Sequence, residues 1–441
     1  MPDDLDLGGE TITVWCSAGA YKNICTELTG DILDDAIYNN TLKAQEKLNC
    51  TIEYHDANGA DSHTNISTIL LADDTTYDLY LLKQWNGGKL VMEGLYLNLY
   101  DAPYLSLDKP WWNKQYIDNM TISNDRIFTL VGDYSINYTA EIGCIYYNKQ
   151  MYEDFWKDPD GLYDIVNAGE WTLDKMGELC EAVFLDINND GKTDRNDRLG
   201  ALQCWNNTSL SMAYSAGISV TERDKDNIPI LAMDTEHNFD IIEKINDLLH
   251  NTPGLFYTGK EGYVKESTTD MEQTERFLNG NVLFFYSGMG SSSTLREMES
   301  DYGVIPYPKM DTAQENYIST PSENVSFASL PYNCQKVDAV CAVLEQMAYE
   351  GYHEVIPTYY EIVLKTKFAR DDTSAKMLDL IRESVTNDIA RIYNSGFGSV
   401  AYQPRVTFMS GNGDFASEYA SMKTAAIAAA EQWVDKVMAI E

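Results

Sequence analysis

Asp186, Asn188, Asp190, Lys192, Asp194 and Asp197 stand at positions 1, 3, 5, 7, 9 and 12 of a twelve-residue loop, with Gly191 at position 6. That spacing suits Ca²⁺, a hard cation that takes six to eight oxygens from alternate residues of a tightly turned loop. Lys192 would offer only its backbone carbonyl, and Gly191 makes the sharp turn at least steric cost. Asp197 stands where a bidentate Glu is usual, so its shorter arm weakens the pattern. The competing reading is a solvated Asp/Asn/Gly turn that binds nothing. Before the loop, Leu173, Met176, Leu179, Cys180 and Val183 recur at helical spacing behind Thr172 as N-cap. After it, residues 198–202 open no second amphipathic helix. The unit reads as helix, loop, strand, so the expected ion is a structural staple and not the lever of a sensor.

The 441 residues carry 69 acids against 32 bases, for a net charge of −37. Nucleic acid and anionic lipid require clustered Lys and Arg, so neither is an expected partner. A 44% hydrophobic and 12% aromatic chain of this length is expected to form two packed domains. No run approaches the roughly twenty apolar residues of a membrane span, and Met1, Pro2, Asp3 and Asp4 read as polar linker without a signal peptide. A secreted chain would have lost its leader. The eight cysteines include no CxxC pair. Cys144, Cys180 and Cys341 read as small buried residues. Cys16 with Cys25, or Cys334 with Cys341, could bridge.

The elements that position such chemistry alternate. Strand-like runs at 11–15, 51–54 and 77–82 are separated by helical stretches at 36–48 and 66–71, a parallel α/β signature. Residues 126–130 and 144–148 read as further strands. The second half continues with helices at 239–250 and 271–279 and strands at 282–286 and 303–308. Long helices at 338–349, 374–384 and 416–439 close the chain. Ligands bind beyond the carboxyl ends of strands in open parallel sheets, which nominates Ser17 and Trp85.

Several stretches in order resemble one family. They are TITVW at 11–15, DKPWWN at 108–113, NYTAEIGCIYYNKQMYEDF at 137–155 and GEWTLDKM at 169–176 with its DINNDGKTDRNDRLG loop. FLNGNVLFFYSG at 277–288, YGVIPYPK at 302–309 and YYEIVLKTKFARDDTSAKMLDLI at 359–381 follow. Together they resemble the extracellular solute-binding lipoproteins of bacterial ABC importers, in the carbohydrate-binding group that includes maltose-binding protein. The resemblance implies an α/β, two-lobed periplasmic-binding-protein-like fold (type II) with a hinge and an interlobe cleft. It would place a linker at 1–8, one lobe at 9–138 plus 302–350, and the other at 139–301 plus 351–441. It also implies delivery of a carbohydrate to the transmembrane subunits of an ABC permease by a monomer outside the cell. Such a protein is tethered only through a lipid anchor, whose Cys is not in this sequence.

A sugar presents C–H patches to flat aromatic rings and hydroxyls to amides and carboxylates. An unpaired buried hydroxyl costs about 1–3 kcal/mol. Candidates that follow strands are Trp85, Asp133, Tyr134, Asn137, Trp205, Tyr286 and Ser287, joined by Ser17, Trp112, Glu323, Asn324, Tyr393 and Phe397. Trp15 and Trp171 read as packing residues. The rival reading is a glycoside hydrolase, which needs aromatics and a carboxylate pair. Among 69 acids, however, the presence of a pair carries no information. The segment 286–290 lacks the first Gly of a GxSxG elbow, and the five His lie apart without an HExxH pattern. A dockerin-like module would need a second calcium loop, and the chain has one. Binding without catalysis is the expectation.

Overall fold

The structure, a computed structural model, describes residue 2 and residues 4–204, 207–261, 266–361 and 372–440. Its strands, in chain order, are β1 (Glu10–Cys16), β2 (Cys50–Asp56), β3 (Leu79–Lys83), β4 (Gly143–Asn148), β5 (Leu199–Gln203) and β6 (Thr221–Arg223). They continue with β7 (Pro229–Leu231), β8 (Leu255–Tyr257), β9 (Val282–Gly288), β10 (Tyr302–Ile305) and β11 (Ser326–Ser329). They build two main sheets, and each sheet with its helices forms one lobe.

The first sheet has the order β11-β3-β1-β2. β1 runs parallel to β2, with Ile12 opposite Ile52, and parallel to β3, with Val14 opposite Leu79. β1 buries Ile12, Val14 and Cys16, the alternation of a strand with one covered face. The helix Ile32–Leu48 covers it. Asp31 caps that helix by accepting from the Leu33 N–H at 2.9 Å, and Asn49 ends it in the left-handed region at φ 49°. The helix Val337–Glu350 packs alongside.

The second sheet has the order β10-β4-β9-β5-β8. β4, β5 and the first five residues of β9 are buried throughout, as strands covered on both faces must be. Trp171 is fully buried, stacks 5.4 Å from Phe284 and donates its indole N–H to the Pro306 carbonyl at 2.9 Å. Behind it, Thr172 Oγ1 accepts from the Lys175 N–H and starts the helix Leu173–Val183, whose buried face is the expected one. A bridge between Leu185 and Arg198 closes the 186–197 loop before β5, completing helix, loop, strand.

Three sequence expectations change. β10 pairs antiparallel with β4, Tyr302 opposite Asn148, so residues from 302 belong with the second sheet, and the return to the first occurs only near β11. The carboxyl-terminal third is shared between lobes. The helix Gln403–Ser410 packs on the second, whereas the helix Phe415–Met438 touches both Gln84–Met92 and Glu236–Asn251. Residues 126–130 form no strand. Ser123 and Asn124, at φ 54° and 61°, fold 122–126 back on itself, and only Leu130 bridges to Ala328. All eight cysteines are free thiols, with Cys144, Cys180 and Cys341 buried. No helix among the described residues is long and apolar enough to cross a membrane.

Gly200 meets the helix Leu173–Val183 at close range, since a Cβ there would lie 2.3 Å from the Cys180 Cα. Backbone cannot yield as a side chain can. Gly200→Ala should lower the unfolding free energy by about 1–3 kcal/mol, read as a lower urea midpoint. An unchanged midpoint would show that helix and strand separate freely.

Candidate ligand-binding site

Three segments pass between the lobes side by side. In the first, Gly143 donates its N–H to the Thr320 carbonyl at 3.0 Å, and Ser322 donates to the Glu141 carbonyl at 2.8 Å. Asn137 Oδ1 accepts from the Ser326 N–H at 2.7 Å, and Ser326 Oγ in turn shares a hydrogen bond with Ser17 Oγ. Residues 384–386 form the third segment through Ser319 N–H to Ser384 O and Thr386 N–H to Ser319 O. Asn387 Nδ2 donates to the Tyr138 hydroxyl, joining it to the first.

Beside these crossings lie two adjoining cavities that share Asn324. One, of about 440 Å³, opens over the end of β9. Tyr286 and Tyr307, with ring centroids 5.9 Å apart, form its apolar wall, and Ser211, Gln273, Ser287 and Ser291 supply hydroxyl and amide groups. Gln273 Nε2 is buried there without a hydrogen-bond partner among the described residues. Glu141 also lines it. Burial pushes its carboxyl above the ordinary range, against the Ser322 hydroxyl that donates to it and the charge of Lys83. The other cavity, of about 550 Å³, is lined from the first lobe by Lys83, Trp85 and Lys89 and from the carboxyl-terminal region by Arg391, Tyr402 and Arg405. Trp85 stands in the first turn of the helix Gln84–Met92, half exposed. These are the dimensions and mixed lining of a small-molecule site.

Of the sequence candidates, the cavities gather Trp85, Tyr286, Ser287, Glu323 and Asn324. Six others are core or crossing residues, which corrects their expected role. Trp112 donates its indole N–H to Glu345 Oε2 at 2.9 Å, and Tyr134 packs beside it and donates to the Leu130 carbonyl. Tyr393 and Phe397 sandwich against Trp433 at 5.0 and 4.9 Å. Ser17 Oγ and Asn137 Oδ1 are taken up by Ser326, while Asn137 Nδ2 is buried with no partner among the described residues. Asp133 lines neither cavity; it sits where the Arg382 charge reaches it. Trp205 lies outside the described residues. Sequence reasoning passed over Lys83, the last residue of β3 and open to the strand-end rule, and Lys89, on the helix Gln84–Met92 beyond Trp85. Arg391 and Arg405 carried no local signal.

The 186–197 loop closes on itself. Gly191 at φ 76° and Asp190 donate their N–H groups to Asp186, while Ile187 and Asp194 donate theirs to the buried Asp197. Among the described residues no three acidic, His or Cys side chains converge on one point.

A sequence profile of the bacterial extracellular solute-binding proteins matches residues 30–352. No curated protein matches the chain by sequence. Solved structures share the fold. UgpB from Mycobacterium tuberculosis, in complex with glycerophosphocholine, superposes with a TM-score of 0.62 at 12% identity, covering 97% of this chain and 100% of that one. The T. maritima MalE3 with maltose bound gives 0.57 at 12% identity over 98% and 99%. The substrate-binding protein Lmo0181 from Listeria monocytogenes, in complex with cycloalternan, gives 0.57 at 12% over 97% and 98%.

Burial pushes the Asp133 carboxyl up to about 7, opposed by Arg382. From its ordinary value of 3.8 up to about 7, the native chain thus holds a proton that the unfolded chain sheds. That stabilisation is complete below the ordinary value and is lost as pH rises through 7. Asp133→Asn should therefore melt higher than the parent at about pH 8, the two converging towards about pH 4. Identical melting profiles across that range would exclude a buried Asp133 carboxyl.

Proposed function

The chain belongs to the bacterial extracellular solute-binding protein family, and from that membership we propose that it captures a carbohydrate between its lobes for an ABC permease. One observation carries the sugar reading. The 440 Å³ cavity sets paired tyrosine rings beside hydroxyl and amide groups, with Gln273 Nε2 buried and lacking a partner. A sugar's apolar face and its hydroxyls answer both halves of that lining. The second cavity, with Trp85, extends the room towards an oligosaccharide. The three crossing segments act as the hinge, and ligand bridging the lobes stabilises a closed form through its greater affinity for that form. The protein works as a monomer outside the cell, held to the membrane by a lipid anchor, and performs no chemistry on its ligand.

Thermal shift and tryptophan fluorescence against mono- and oligosaccharides test this. Micromolar binding of a sugar without product release is expected. Trp85→Ala should weaken it about three- to tenfold by removing a ring platform. Hydrolysis of any glycan would establish the glycoside hydrolase instead, and a response to peptides alone would end the carbohydrate reading.

Calcium at 186–197 is a separate proposal, supported by the ligand spacing and by the turn at Gly191. EDTA should lower the melting temperature and added calcium restore it. An unchanged melt removes the ion.

A further inference from the structure

The 550 Å³ cavity has charge opposite in sign to the chain that encloses it. Only 32 of the 441 residues are basic, yet Lys83, Lys89, Arg391 and Arg405 all line this one space, with Glu323 as its single acid. Lys83 is partly exposed and Lys89 exposed. Neither pairs with a carboxylate among the described residues, although both project from the first lobe beside Trp85.

Arg391 is the more telling member. It is 4% exposed, and its Nε and Nη2 are buried with no hydrogen-bond partner among the described residues. Its guanidinium lies over the Tyr214 ring at 5.2 Å, a cation–π contact that offsets part of the lost hydration. The acid three residues earlier does not neutralise it. Asp388 spends its oxygens on the N–H groups of Val220, Thr221 and Ala390 and on the Thr221 hydroxyl. A buried charge without counter-charge is costly. A guanidinium fork is shaped for the paired oxygens of a carboxylate or phosphate.

We infer that the ligand carries an anionic group, a carboxylate or a phosphate, seated by Arg391 with Lys83 and Lys89, while its hydroxylated remainder occupies the adjoining tyrosine-walled cavity. The inference rests on the carbohydrate-capture reading for the remainder, and on the cations alone for the charge. Arg405, over the Tyr402 ring at 4.7 Å, closes the far side of the seat.

Titration calorimetry at low and near-physiological ionic strength tests it with three probes: a neutral malto-oligosaccharide, an oligogalacturonate of equal length, and glycerol 3-phosphate. At least one anionic probe should bind about tenfold or more tightly than the neutral one. That advantage should shrink about threefold or more at the higher salt. Lys83→Gln and Lys89→Gln, at positions open to solvent, should each cut the anionic affinity about three- to tenfold and lower the neutral affinity by clearly less. These two variants stand in where Arg391→Gln fails to fold. Preference for oligogalacturonate identifies a carboxylate, and preference for glycerol 3-phosphate a phosphate. Equal binding of neutral and anionic probes, or lysine variants that match the parent, overturns the anion seat and leaves carbohydrate capture standing. Binding of glycerol 3-phosphate with no response to either saccharide upholds the seat and overturns carbohydrate capture.

Discussion

The lobes are related through a narrow ribbon of backbone hydrogen bonds. Residues 137–143, 319–326 and 384–388 lie abreast, and the contacts from Gly143 to Thr320, Ser322 to Glu141 and Thr386 to Ser319 are all N–H to carbonyl. Backbone pairing of this sort is indifferent to side-chain identity but strict about register. It keeps each lobe's strand ends pointed at the same space. The side chains that assist are small and polar. Asn137, Ser17 and Ser326 form a chain of hydrogen bonds inside the first lobe's edge. Everything that lines the cavities takes its position from where this ribbon sets β3, β9 and the carboxyl-terminal helices.

Two lobes mean two interiors, and this accounts for the aromatic wealth of the chain. Trp112 and Tyr134 fill the first lobe, Trp171 and Phe284 the second, and Trp433 with Tyr393 and Phe397 the region that both lobes share. Polar edges are satisfied as they go under: indole N–H groups reach Glu345 and Pro306, and the Tyr116 hydroxyl reaches Thr129. Burial raises the Tyr134, Tyr286 and Tyr307 hydroxyls far above their ordinary titration range, so they act as neutral hydrogen-bonding groups at any physiological pH. The cavities use what aromatic surface is left over.

The strands and helices whose signals are local were legible in the residues. β1 to β4 carried apolar runs bounded by turns, and Asp31 and Thr172 announced helix starts by their capping chemistry. β10 was misassigned because its partner is chosen by tertiary position: nothing local to Tyr302–Ile305 names a sheet, and it pairs antiparallel with β4. The candidate binding residues divide in the same manner. Trp85 follows from a strand end, and Tyr286 and Ser287 from another. Trp112, Tyr393 and Phe397 look identical in sequence to ring platforms, and nothing but packing against Glu345 or Trp433 distinguishes them. Arg391 and Arg405 reach the cavity because the third crossing returns the chain to the first lobe before the helix Gln403–Ser410 goes back to the second. No spacing rule anticipates a double return.

The inverted charge of the larger cavity also bears on traffic. A body of net charge −37 surrounds an entrance lined by Lys83 and Lys89, so the far field and the near field oppose each other. Within about 8 Å of these cations, the screening length at physiological salt, their field dominates, while farther out only the weakened field of the net charge is felt. An acidic exterior thus slows the approach of any anion without loosening its hold once inside, and added salt quickens arrival while shortening residence. Capture and release then both quicken as ionic strength rises, a change in the rates that an affinity alone would conceal.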